Sequence, residues 1–266
     1  DFEKKEISIS QQEALRRLSR QVVTQLELRR ALLEMDQAIK TRDEMYTQLQ
    51  NEREKSDTLM AKILPKNIAE EIKTNGKVEP KYFDEASIMF CDLVGFTKLT
   101  ETLPPKTLVD LLNQIFCKFD SISTKYNIEK IKTIGDAYMC VAGINNNKEK
   151  HAENLCSMAL EVRDYLEKSN IQREKLKMPR WDMRIGIHTG PVIAGVVGEN
   201  KFTFDIWGDA VNIAAIMEQN SDAGRINISE PTHYRVKNKF IIEERGEIAS
   251  LKKGDMKMFF LDDLKT

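Results

Sequence analysis

Asp92 lies in the apolar run Ser87-Ile88-Met89-Phe90-Cys91-Asp92-Leu93-Val94-Gly95-Phe96-Thr97, and Asp136 in Lys130-Ile131-Lys132-Thr133-Ile134-Gly135-Asp136-Ala137-Tyr138. A carboxylate at the end of a buried strand is costly unless something positive sits against it. Two such strands, each ending in an aspartate beside a glycine, predict a shared site for divalent metal. Hard ions such as Mg²⁺ take carboxylate oxygens together with substrate phosphates. Gly95-Phe96-Thr97 opens a helical stretch, so its backbone N–H groups can hold a phosphate at the helix N-terminus. Singly, each aspartate also reads as a turn residue. The pair, both placed where a strand runs out, points to nucleotide chemistry.

The remainder of the chain must position those groups. Its 266 residues allow one or two compact units. Charged residues make up 31% of the chain but cancel to a net charge of −1, which argues against nucleic-acid binding by bulk electrostatics. Cys91, Cys117, Cys140 and Cys156 show no Cys-x-x-Cys spacing and read as buried thiols in a reducing compartment, hence a cytoplasmic location. No apolar run approaches membrane-spanning length and no signal peptide opens the chain. The start at Asp1 leads to the expectation of a fragment lacking an upstream sensor or membrane domain, so the chain is cytoplasmic or the cytoplasmic part of a membrane-anchored protein.

Residues 10–64 contain neither glycine nor proline. From Leu28 the positions Leu32, Met35, Ile39, Arg42, Tyr46, Leu49, Arg53, Ser56, Met60 and Ile63 alternate steps of four and three, a coiled-coil seam. Leu15, Leu18 and Val22 begin another seam out of register with the first, a break that locally overwinds or unwinds a supercoil. The alternative is one amphipathic helix folded onto its own domain. Pro65 and Gly76 bracket a short helix. The expected division is a dimerisation helix over 1–64, a linker over 65–82 and a globular domain over 83–266.

Within that domain, Ser87–Leu93 reads as a buried strand, and Leu108 to Ile122 as an amphipathic helix. Ile128–Ile134 and Ala137–Ala142 flank Gly135-Asp136 as a hairpin. A helix over Ala152–Leu166 follows, then strands over Trp181–His188, Val192–Val197 and Phe202–Ile206. Val211–Glu218 is helical, and short strands close the chain. The fold class is α+β, with helices packed on one mixed, largely antiparallel sheet.

Three segments carry a resemblance: Phe90-Cys91-Asp92-Leu93-Val94-Gly95-Phe96-Thr97, Glu129 to Met139, and Phe204-Asp205-Ile206-Trp207-Gly208-Asp209-Ala210-Val211-Asn212-Ile213-Ala214. Their residues and order resemble the signature stretches of the class III nucleotidyl cyclases, over roughly residues 60–266. The resemblance implies that family's ferredoxin-like core, and two Mg²⁺ or Mn²⁺ ions held by Asp92, Asp136 and the Leu93 carbonyl. It further implies phosphate contacts from the amides around Gly95, Phe96 and Thr97, and a ribose contact from Asn212, for which a helix N-cap is the rival reading. A phosphate-binding lysine is implied in Leu251 to Lys257: Lys253, with Lys252 as the alternative.

Base choice follows from hydrogen-bond pattern. Adenine offers an acceptor at N1 and a donor at its exocyclic amine, and guanine reverses both. The family's base-reading positions hold Lys132, a donor, and Asp205, an acceptor, where guanylyl members resemble Glu and Cys. ATP is therefore the expected substrate, cyclised to 3′,5′-cyclic AMP and pyrophosphate.

One departure stands out. Four residues after its asparagine the family places an arginine that stabilises the transferring phosphate, and here that position is Ile216. Losing one such donor costs roughly 10²–10³ in rate. Arg225 lies near in sequence and is the candidate for a substitute donor. The resemblance also implies that metal aspartates and base readers meet from different subunits, so a homodimer through the coiled coil and the catalytic domain would build two equivalent sites. The rival readings are a degenerate cyclase-homology module that binds nucleotide or a partner without turnover, and a guanylate cyclase. His188, lone at a strand end, reads as structural.

Overall fold

The computed structural model describes residues 8–96, 100–101, 103–145, 149–178, 180–250 and 254–265. Two compact units divide the chain, Asp1–Ile63 and Leu64–Thr266. The first contains one helix, α1 (Ile9–Ala61). It starts in a capping box, with the Ser8 hydroxyl accepting from the Gln11 amide and the Gln11 side chain accepting from Ser8. No residue of α1 is buried, and Leu28, Leu32, Met35 and Leu49 stand exposed along it.

The second unit opens with α2 (Lys66–Asn75), closed by Gly76 in the left-handed conformation. Leu64, Ile68 and Ala69 are buried, which anchors this segment in the second unit. The order continues β1 (Lys81–Leu93), α3 (Pro105–Lys125), β2 (Glu129–Ile134), β3 (Ala137–Ala142), α4 (His151–Lys175), β4 (Met183–Val197), β5 (Thr203–Trp207), α5 (Asp209–Gln219), β6 (Ile226–Ser229), α6 (Glu230–Val236), β7 (Phe240–Ser250) and β8 (Gly254–Leu264). The sheet runs β2-β3-β1-β4-β6-β8-β7, with β5 paired to β4. Every pair is antiparallel except β4–β6, so the α+β expectation with a mixed, largely antiparallel sheet and a long preceding helix holds.

Alternation along the strands sorts side chains to two faces. Met89, Cys91 and Leu93 of β1, with Ile185 and Ile187 of β4, meet Phe119 and Ile122 of α3 and Leu155, Met158 and Val162 of α4 in one core. Residues of the opposite parity, among them Phe90, Asp92, Arg184 and Gly186, face the other side, where α5 lies against β4 and β1. That approach depends on Gly186: a Cβ there would stand 1.9 Å from the Glu218 backbone nitrogen. No side chain larger than hydrogen fits.

Three expectations are corrected. Trp181–His188 and Val192–Val197 are not separate strands, because β4 runs unbroken through Gly190-Pro191. Pro191 coincides with a register shift in β1 between Phe83 and Ala86, a place where a missing N–H is tolerated. The closing strands are not all short, since β7 and β8 span 11 residues each. Cys91, Cys140 and Cys156 are buried, but Cys117 is exposed on α3.

Candidate active site

The β1–β3 register sets Tyr138 opposite Cys91, which brings Asp136, in the turn before β3, to the end of β1 where Asp92 stands. Gly135 makes that turn with φ +62°. The two carboxylates feel each other. Burial first, and the negative charge of Asp92 second, hold the Asp136 carboxyl above its ordinary range. Leu93, buried, ends β1. Among the described residues no group of three or more His, Cys, Asp or Glu side chains forms a metal cluster. A pair of adjacent, mutually repelling carboxylates suits ions that draw remaining ligands from backbone oxygen, water and a triphosphate, so this donor set fits Mg²⁺ or Mn²⁺.

A cation already faces the pair. Arg184 lies directly across from Asp92 in the β1–β4 ladder, and its Nη2 donates to Asp92 Oδ2 at 3.0 Å. Its Nε is 3.2 Å from Oε1 of Glu218, a buried residue near the end of α5. Burial is the main cause that pushes the Glu218 carboxyl up to about 7, opposed by Arg184 and reinforced by Asp92 and Asp136. Arg184 and Glu218 escaped the sequence reading. A charged residue between Met183 and Ile185 in an apolar strand was the visible signal for the first. Nothing local marks the second.

Lys132 and Asp205 are brought together: Lys132 Nζ, on β2, donates to Asp205 Oδ2, on β5. Asp205 also accepts from the Ile206 amide at 2.9 Å, which fixes its carboxylate. Asn212 is exposed on α5, whose N-cap is Gly208, so the N-cap reading of Asn212 is excluded. Ile216 follows one turn later, half-buried. Arg225 is engaged elsewhere, bonded to Glu243 at 2.8 Å and Asp262 at 3.0 Å with its guanidinium 4.1 Å from the Phe260 ring centre. Gly95 takes φ +76°, and Phe96, half-buried, is helical and packs against the core. Thr97, Lys252 and Lys253 lie outside the described residues.

His188 is buried, and its Nδ1 is 2.7 Å from the Ser229 hydroxyl. That hydroxyl continues through Thr232, Thr189 and Ser87 to His151, a closed polar chain inside the domain.

With this geometry in hand, comparison defines the class. Residues 78–263 match the sequence profile described as the adenylate and guanylate cyclase catalytic domain. The chain belongs to this family. It is 38% identical to an adenylate cyclase of Mycobacterium tuberculosis over 80% of its own length and 47% of that protein's. It is 37% identical to a receptor-type guanylate cyclase of Caenorhabditis briggsae over 82% of its length and 20% of that protein's. The chain thus spans about half or less of these curated relatives. A solved catalytic core of a rhodopsin-guanylyl cyclase with converted specificity, in complex with ATPαS, superposes with a TM-score of 0.65 at 30% identity, covering 70% of this chain and 99% of that one. No helix among the described residues is long and apolar enough to cross a membrane.

Burial holds His188 down at about 4, with Asp209 opposing, and lowers His151 too. A histidine depressed on folding contributes stability that is full above its unfolded value of about 6.5 and lost as pH falls through the folded value. Glu218, held up at about 7, acts in the opposite sense over the same range, so the test is the difference: as pH falls from 6.5 to 4, the urea midpoint should drop further in wild type than in His188→Gln. Equal drops in both proteins would show that His188 is not held neutral by the fold.

Proposed function

We propose that this chain is an adenylate cyclase that converts ATP to 3′,5′-cyclic AMP and pyrophosphate at sites shared between two copies. The observation that carries the reading is the Lys132–Asp205 pair, one donor and one acceptor side by side. The Lys132 ammonium would donate to adenine N1, and the Asp205 carboxylate would accept from the exocyclic amine. Guanine would meet donor against donor and acceptor against acceptor. A related guanylyl cyclase core with converted specificity has been solved in complex with ATPαS, which supports the view that base preference on this scaffold can be changed.

In the reaction the ribose 3′-oxygen forms a bond to the α-phosphorus as the bond to the β-phosphate oxygen breaks, and the hydroxyl proton passes to solvent. Two bound divalent ions would lower the hydroxyl's pKa and screen the triphosphate. Asp92, Asp136 and the Leu93 carbonyl would hold them. Asn212 would orient the ribose, while the amides near Phe96 and Thr97, and Lys253, would meet phosphate oxygens. Arg184 adds a cation beside the metal carboxylates, in position for the same phosphates.

Two apolar features support self-association. Tyr82, Ile193 and Trp207 are cross-strand neighbours on β1, β4 and β5 and all are exposed, next to Asp205 two residues before Trp207. The seam on α1 is exposed as well and has the coiled-coil repeat that pairs with a second chain. The division 1–64, 65–82 and 83–266 is kept as the functional one: dimerising helix, transducing link, catalytic domain.

Ile216 favours a second reading, a nucleotide-binding regulatory module. It puts an apolar, half-buried side chain where an arginine would stabilise developing charge, and Arg225 is tied down by Glu243 and Asp262.

Measuring cyclic AMP and cyclic GMP formed from ATP and GTP with Mg²⁺ or Mn²⁺ tests the proposal. Cyclic AMP should dominate, and Lys132→Glu with Asp205→Cys should move the ratio towards cyclic GMP by an order of magnitude or more, roughly what mismatched polar contacts enforce. An unchanged ratio would remove both residues from the base site. Ile216→Arg should raise turnover, by up to roughly 10²–10³, with little change in ATP affinity, because the contact matters as charge develops. A fast wild-type enzyme would show that Ile216 is not limiting. No turnover in either protein despite ATP binding would favour the regulatory module.

A further inference from the structure

Arg184 Nε and Glu218 Oε1 are 3.2 Å apart, yet neither atom makes a hydrogen bond among the described residues, although both are buried. Opposite charges this close gain Coulomb energy without satisfying the donor and the acceptor, and such unsatisfied buried atoms are uncommon in native interiors. In the same side chain Arg184 Nη2 donates to Asp92 Oδ2 at 3.0 Å, while Nε stands beside Glu218 without a bond to it. The guanidinium is shared between two carboxylates and fully serves only one.

We propose that Glu218 is the positioning residue for Arg184: when the metal ions claim Asp92, the guanidinium turns to bond Glu218 and so stays at the phosphate side of the site. This rests on the cyclase reading above. Divalent charge on Asp92 and Asp136 repels a guanidinium, and Arg184 is 34% exposed at its side chain, so it has room to swing into water. Glu218 supplies the counter-charge that prevents this. Its own place is fixed by the close approach at Gly186, which presses the Glu218 backbone against β4. The helix that carries Asn212 and Ile216 therefore also carries the anchor for the cation beside the metal carboxylates.

A double-variant cycle tests the assignment with a binding readout. The probe is 3′-deoxy-ATP, which lacks the attacking hydroxyl, titrated calorimetrically with Mn²⁺ into the full chain. Arg184→Ala and Glu218→Gln should each weaken binding about tenfold or more, the size typical for residues that orient a group at a metal site. The double variant should match Arg184→Ala within about twofold, because Glu218 has nothing left to position. Without Mn²⁺, Glu218→Gln should bind the probe like wild type, since Asp92 then still holds Arg184. If Glu218→Gln does not fold, Glu218→Asp, which keeps the charge but shortens the reach, serves the same cycle.

Losses that multiply in the double variant would overturn the proposal, as would a Glu218→Gln loss of equal size with and without Mn²⁺. Both patterns mean a general structural role. Wild type that binds the probe but forms no cyclic product would sink the cyclase reading while leaving the cycle decisive for Glu218. Wild type that does not bind the probe would overturn both.

Discussion

Asp92 and Asp136 repel one another, and the fold holds them together at the end of β1 and in the β2–β3 turn. The β1–β3 register and the tight turn at Gly135 allow Asp136 little retreat. Folding therefore stores like charge in one place. Part of that cost is offset by Arg184, aligned across the β1–β4 ladder, and under the proposed function bound cations would offset more of it. Burial first, and the charge of Asp92 second, raise the Asp136 carboxyl.

Several features of the architecture serve that one charge balance. A small residue at 186 lets α5 sit close on β4, and that approach delivers Glu218 to Arg184. The same helix presents Asn212 and Ile216 on its other turns. On β2 and β5 a second pair of opposite charges, Lys132 and Asp205, neutralises itself, so under the proposed function a purine would have to open a closed ion pair. A ligand offering both an acceptor and a donor replaces what it breaks, and one offering the reverse pattern does not. Discrimination then comes from the penalty of unpaired groups more than from attraction.

Much of this was readable from residue order because it is local. The β2–β3 hairpin announces itself through Gly135-Asp136 between apolar runs, and both Asp92 and Asp136 follow from strand ends. The adjacency of Lys132 and Asp205, 73 residues apart, was reached through family resemblance and not through periodicity. What escaped depends on register and contact. Arg184 matters because it faces Asp92 across a ladder, and Glu218 because a helix lands on a glycine. Neither fact is written in neighbouring residues. Continuity of β4 through Pro191 was likewise hidden, since the register shift that tolerates proline lies in the partner strand.

The central claim is that metal carboxylates from one copy work with base readers from another. Co-expressing two differently tagged chains tests it directly, one carrying Asp92→Ala and the other Lys132→Ala with Asp205→Ala. Each parent homodimer should be inactive, while heterodimers purified through both tags should keep one intact site and so about half the wild-type rate per dimer of cyclic AMP formation. Heterodimers as inactive as their parents would contradict the account, because they would mean that both sets of residues must act within one chain.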